Sequence, residues 1–187
     1  MGQDKCCNMI FTANIPKNNT VLIAFGTRDI GPYYWVGRSE SGVQYYAGQT
    51  FQAPATGQLK HIQLFAPVVH RPSGATLGIY QFDNTTNTFG KKLSEITKEI
   101  TKGDENKWID FTIADLKVEK NQFYAFKINS IDLGMFAIAE CPWSAADPYV
   151  EGIQWTGTST NPHGLFHKDF DFAFQGAIEA SADTQFI

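Results

Sequence analysis

The stretch Asn161-Pro162-His163-Gly164-Leu165-Phe166-His167-Lys168-Asp169-Phe170-Asp171-Phe172 is the most informative polar constellation in the chain. His163 and His167 stand four apart, the helical spacing for two metal ligands, but Pro162 and Gly164 oppose a helix there. Read as a strand, the segment turns Phe166, Phe170, Phe172 and Phe174 inward and projects His167, Asp169 and Asp171 together from the opposite face. Such a row offers oxygen ligands to a calcium ion, or an imidazole titrating beside carboxylates. The competing expectation is a solvated strand face, with Asp171 holding the backbone donors of a turn. The sequence has no EF-hand-like loop, so calcium would need further oxygens from other loops.

A second signal is aromatic. Trp143, Tyr149 and Trp155 are spread through one loop-like segment together with Asp147, Glu151 and Gln154. Flat rings suit the CH-rich faces of sugars, while the neighbouring carboxylates and amide can take the hydroxyls. Tyr34 and Trp35, after Gly31-Pro32, add two more candidate contacts, with Tyr45-Tyr46 behind them. Against this stands the common use of Tyr and Trp to plug the open ends of a sandwich.

Signatures of catalysis are thin. The sequence contains no Gly-x-Ser-x-Gly elbow, no Walker loop and no dinucleotide fingerprint. A carboxylate pair for glycoside hydrolysis can be drawn from Asp147, Glu151, Asp169 and Asp171, but their separation is not legible in sequence. Cys141 could pair with His163 or His167 as a nucleophile, although a lone Cys without a motif is more often a small buried apolar residue. Cys6 and Cys7 are adjacent, so at most one of them bridges to Cys141.

The elements that must position these residues are short. Of 187 residues, 43% are hydrophobic and 14% aromatic, enough for a sizeable core and too apolar for disorder. A net charge of -4, from 15 Lys+Arg against 19 Asp+Glu, excludes a general nucleic-acid binder, which needs a concentrated basic surface. No apolar run approaches the roughly 20 residues of a spanning helix, so no membrane insertion is expected. Apolar residues return at every second place, between Gly, Pro, Asn and Asp. Trp108–Ile113 is the clearest strand, with Ile109, Phe111 and Ile113 on one side. Gln58–Phe65, Ala75–Phe82, Leu93–Ile100, Phe123–Ile128, Gly134–Ala139 and Phe170–Ile178 follow the same rule, and Val21–Phe25 reads as a strand buried on both faces. The expectation is all-β: a two-sheet antiparallel jelly-roll-like sandwich of roughly eight or nine strands. It forms one domain over 1–187, with 1–45 an N-terminal extension and 46–180 the core sandwich.

Four segments carry a resemblance. They are Gly48-Gln49-Thr50-Phe51-Gln52-Ala53-Pro54 with Gly57-Gln58-Leu59; Gly74–Tyr80 with the Phe89-Gly90 hairpin; Trp108–Phe111 with Leu116–Phe126; and Asp171-Phe172-Ala173-Phe174. In this order they resemble a jelly-roll β-sandwich module of bacterial secreted and surface proteins, similar to carbohydrate-binding modules. The resemblance implies a non-catalytic module that binds a polysaccharide or other glycan, outside the cell or on its surface. The first residues, Met1-Gly2-Gln3-Asp4-Lys5, lack the pattern of a secretory signal. Two alternatives remain open: a structural domain whose partner is another protein, and a glycan-active enzyme using a carboxylate pair.

Overall fold

The computed structural model describes residues 20–143 and 146–181. Period-two patterning produces strands β1 (Thr20–Thr27), β2 (Tyr33–Arg38), β3 (Gln44–Gln52), β4 (Gly57–Ala66), β5 (Val69–Arg71), β6 (Ser73–Asp83) and β7 (Thr88–Ile100). They are followed by β8 (Lys107–Val118), β9 (Phe123–Ser130), β10 (Met135–Ala139), β11 (Gln154–Thr158), β12 (Asn161–His167) and β13 (Phe174–Ser181). The only helical element among the described residues is a single 3-10 turn, Lys102–Asp104, whose start is capped by Thr101 and Asp104. No helix of the described residues is long and apolar enough to cross a membrane.

All the strand pairings are antiparallel and fall into two sheets. The smaller runs β1-β13-β4-β8, and the larger runs β5-β10-β2-β3-β9-β6-β7, with β11 added on β3 and β12 on β11. The sheets stack face to face as a two-sheet antiparallel, jelly-roll-like sandwich. In β8, Ile109, Phe111 and Ile113 are 3%, 0% and 3% exposed, so the expected face is the buried one. Opposite them, β9 and β6 of the larger sheet contribute Phe126, Ile128, Leu77 and Ile79, while β13, in the same sheet as β8, contributes Phe174 and Ile178. Each such side chain adds roughly 1.5–3 kcal/mol by leaving water, which is what holds the two layers together.

Two expectations are corrected. Val21–Phe25 is not doubly buried: among the described residues β1 is the edge of the small sheet and pairs only with β13, and Val21 and Leu22 are 38% and 63% exposed. A continuous apolar run does not distinguish a central strand from an edge one, because partners on each side are set by topology. The alternation through 166–174 also fails. Strand β12 ends at His167, a turn follows, and the chain re-enters the core at Phe172 through a bridge to Glu140. The turn resets which side each residue takes, leaving Phe170 36% exposed and Asp171 1% exposed, the reverse of the sequence expectation.

Strand β11 decides the geometry of the site. Antiparallel pairing sets Gln154 opposite Gln49 of β3 and His167 of β12, and sets Trp155 opposite Gly48. Consecutive residues on a strand point to opposite faces, so Gln154 and Trp155 cannot serve the same ligand.

Candidate functional site

On the inward side of β11, a cleft of about 190 Å³ opens at the rim of the sandwich. Its walls are aromatic. Trp143, 68% exposed, meets Phe170 edge to face with ring centroids 5.7 Å apart. Tyr34 of β2 closes the other side, and burial raises its pKa above the usual tyrosine value. The tyrosine places its ring edge to face with Tyr45 at 6.3 Å and Phe172 at 6.2 Å, which holds it against the core.

The floor of the cleft is polar and buried. Gln154, 2% exposed, donates from Nε2 to Oε1 of Glu140 at 2.6 Å, and Glu140 is itself only 8% exposed. Both backbone flanks of Glu140 are fixed: its N–H donates to Pro32 at 2.9 Å, its carbonyl accepts from Gly31 at 2.8 Å, and it bridges to Phe172. Gln154 Oε1 has no hydrogen-bond partner among the described residues. No ion pair to Glu140 forms among them either. Beside this pair, Thr156 Oγ1 lies 2.8 Å from Nε2 of His167. The floor of the cleft thus holds one unmet oxygen acceptor, the buried Gln154 amide, beside the Glu140 carboxylate that the same amide engages, below exposed ring faces. A buried acceptor without a donor costs roughly 1–3 kcal/mol, so this arrangement favours a ligand that brings O–H or N–H donors.

Behind the floor runs a second polar cluster. Gln49 Nε2 donates to Oδ1 of Asp171 at 2.6 Å, while Gln49 Oε1 accepts from the Phe172 N–H at 3.1 Å. Oδ2 of Asp171 accepts the Tyr149 N–H at 3.0 Å, which also reaches Oδ1 of Asp147 at 3.0 Å. Burial, together with the neighbouring Asp147 carboxyl, raises Asp171 to a pKa of about 7, against the lowering effect of Gln49. Asp171 therefore locks the loop that carries Tyr149 onto the sheet and does not face the cleft.

The cleft brings together Trp143, Gln154, Tyr34 and His167 of the residues singled out in the sequence. Others lie elsewhere. Tyr149 is 8% exposed and packs edge to face on Phe174 at 5.1 Å, and Trp155 is 2% exposed on the other face of β11. The Tyr149 ring belongs to the core between the sheets and the Trp155 ring to a packed cluster on the outer face of the large sheet, correcting the expectation that all three loop aromatics stand free. Trp35 is on the outer face of β2, between Tyr33 and His70, and Glu151 is exposed on the Tyr149 loop. His167, Asp169 and Asp171 do not form a row: one bonds Thr156, one is exposed and one is buried. Among the described residues no group of three such side chains could hold a metal ion, so the expected calcium row finds no geometry. Cys141 is a free thiol, 2% exposed, and burial pushes its pKa up to about 11, which disfavours the nucleophilic thiolate. Cys6 and Cys7 lie outside the described residues.

No family profile matches the chain. No curated protein matches it either. Among solved structures it is similar to the enzymatically active domain of tailspike protein 4 of bacteriophage CBA120, with a TM-score of 0.32 and 14% identity over 64% of this chain. The match spans 18% of that chain.

Sequence reasoning missed Glu140, Thr156 and Phe170. Two of these were within reach of the alternation already in use: Phe136 and Ile138 point inward from β10, so Glu140 continues the series, and Thr156 follows Gln154 by two. Phe170 was placed inward because the turn after His167 was not foreseen.

Proposed function

We propose that this protein is a non-catalytic binding module whose rim cleft holds one ring of a neutral, hydroxyl-rich glycan. The observation that carries this reading is Gln154, an amide 2% exposed whose Oε1 lacks a partner among the described residues while its Nε2 is held by Glu140. A sugar supplies what the floor lacks: hydroxyl donors for Gln154 Oε1 and the Glu140 carboxylate. Trp143 and Phe170 offer ring surfaces for the CH face of the same ligand. The volume of about 190 Å³ is well below the roughly 300–1,000 Å³ of sites enclosing drug-sized ligands, so one ring is gripped and the remainder of the glycan lies outside. The Glu140 carboxylate would repel an anionic sugar here.

Binding is favoured over glycan hydrolysis because the carboxyl with a pKa near neutrality, Asp171, is 1% exposed with both oxygens engaged inside the fold. Titration calorimetry with neutral oligosaccharides, read against Gln154→Met, tests the proposal. Heat of binding should appear for at least one neutral glycan and weaken about tenfold or more in the variant, the scale of one hydrogen bond to a buried group. Silence towards every neutral glycan, or binding of a quaternary ammonium such as choline in their place, would overturn it.

A further inference from the structure

The other side of β11 carries a different arrangement. Strand pairing lines up Trp155, Gly48, Lys127 and Gly78 across β11, β3, β9 and β6 on the outer face of the large sheet. The two glycines leave backbone on each side of the lysine, because a Cβ on Gly48 would lie 2.6 Å from the Phe126 carbonyl oxygen and one on Gly78 would lie 2.9 Å from the Tyr80 ring. Into this lane the Lys127 ammonium settles on ring faces. Its Nζ is 3.6 Å from the ring centroid of Phe89, 4.3 Å from that of Trp155 and 5.6 Å from that of Tyr80. No hydrogen bond or ion pair to Nζ forms among the described residues. A cleft of about 200 Å³ opens beside it, rimmed by Tyr46, Tyr80, Asn129 and Pro162.

We infer that this outer cleft is a binding site for the carboxylate of an acidic sugar, with the Lys127 ammonium as its anion partner. The ring faces hold the cation in place but take up none of its N–H donors in an oxygen acceptor, so a half-buried ammonium is left able to give hydrogen bonds to an anion. A single positive charge matches a carboxylate better than a doubly charged phosphate. Tyr46 and Tyr80 supply ring surface for the sugar, and Asn129 supplies an amide for a hydroxyl. Burial already draws the pKa of Lys127 below the usual lysine value, and an anion bound beside it would raise it again. The site is separate from the Gln154 cleft, and each proposal can fail without the other.

The test is nuclear magnetic resonance of the lysine side chains of the intact chain, titrated at constant ionic strength with sodium glucuronate, glucose or acetate. Glucuronate should shift the Lys127 signals in a saturable way and raise their titration midpoint, glucose should leave them in place, and acetate should act more weakly than glucuronate. The Trp155 indole N–H signal, whose ring centroid is 4.3 Å from Nζ, should shift with glucuronate in the parent, and Lys127→Met, which keeps an unbranched stem on the rings, should abolish that indole response. If that variant does not fold, Tyr46→Ala at the rim should weaken the glucuronate response several-fold. Lys127 signals unmoved by glucuronate, equally moved by glucose, or moved as strongly by acetate would overturn the inference. So would a glucuronate response that survives Lys127→Met in folded protein, and in the last case the lysine is a structural pillar for the ring cluster only.

Discussion

Gln154 and Trp155 are neighbours in sequence and opposites in role. The side of β11 that carries Gln154 holds a buried, unmet amide oxygen below an exposed tryptophan, whereas the Trp155 side is a packed ring cluster around a cation. Trp155 is fully provided for: its Nε1 donates to the His163 carbonyl at 3.0 Å, and Gly164, at φ +64°, brings the β12 backbone against the indole where a Cβ would lie 2.6 Å from it. Trp143, by contrast, is 68% exposed and meets Phe170 edge to face. A tryptophan's identity thus says little about its task. What decides is whether the polar end and both faces are already satisfied inside the fold.

That contrast can be broken most forcefully at Trp155. Trp155→Ala empties a site that is 2% exposed, and a loss of about 3–5 kcal/mol is expected, on the order of 10 °C in melting temperature. Thermal unfolding of the two alanine variants in parallel should show Trp143→Ala within about 0.5 kcal/mol of the parent. Equal losses for the two would erase the distinction between packed and presented rings.

The polar cluster behind the floor gives the next effect. Asp171 holds its proton to a pKa of about 7 when folded, against about 3.9 in an unfolded chain, so the folded state binds that proton more tightly. Its contribution to stability is full below about pH 4 and is lost as pH rises through about 7, bounded above by about 4 kcal/mol. Asp171→Asn keeps an acceptor for Gln49 and a fixed donor towards Asp147, so denaturant unfolding between pH 4 and 8 should show a flatter slope in the variant than in the parent. Parallel slopes would mean that Asp171 is ionised inside the fold.

A smaller change separates the floor from the walls. Gln154→Met removes the Nε2 donor to Glu140, and a cost of about 1–3 kcal/mol is expected. A negligible cost in chemical denaturation would mean that Glu140 finds its hydrogen bonds elsewhere, and the acceptor floor would lose its basis.

The strands whose alternation is long and regular, β8 above all, could be read directly, since Ile109, Phe111 and Ile113 announce their face without help from the rest of the chain. The edge position of β1 could not, because nothing within Val21–Phe25 records that β13 is its sole neighbour among the described strands. The site divides in the same way. Trp143, Gln154, Tyr34 and His167 were named from their types, and Glu140 was recoverable by extending a visible period. The Gln49–Asp171 contact joins residues 122 apart and is fixed by pairing across strands, a relation that no local pattern carries. One unforeseen turn after His167 was enough to exchange the places of Phe170 and Asp171.

The most direct measurement is affinity electrophoresis of the parent, Trp143→Ala and Lys127→Met through gels containing neutral polysaccharides. The parent and Lys127→Met should be retarded by at least one neutral polysaccharide, and Trp143→Ala should run free in it while keeping the parent's melting temperature. Retardation of Trp143→Ala equal to that of the parent, or free passage of the parent through every gel, would contradict the assignment of the rim cleft as a sugar site.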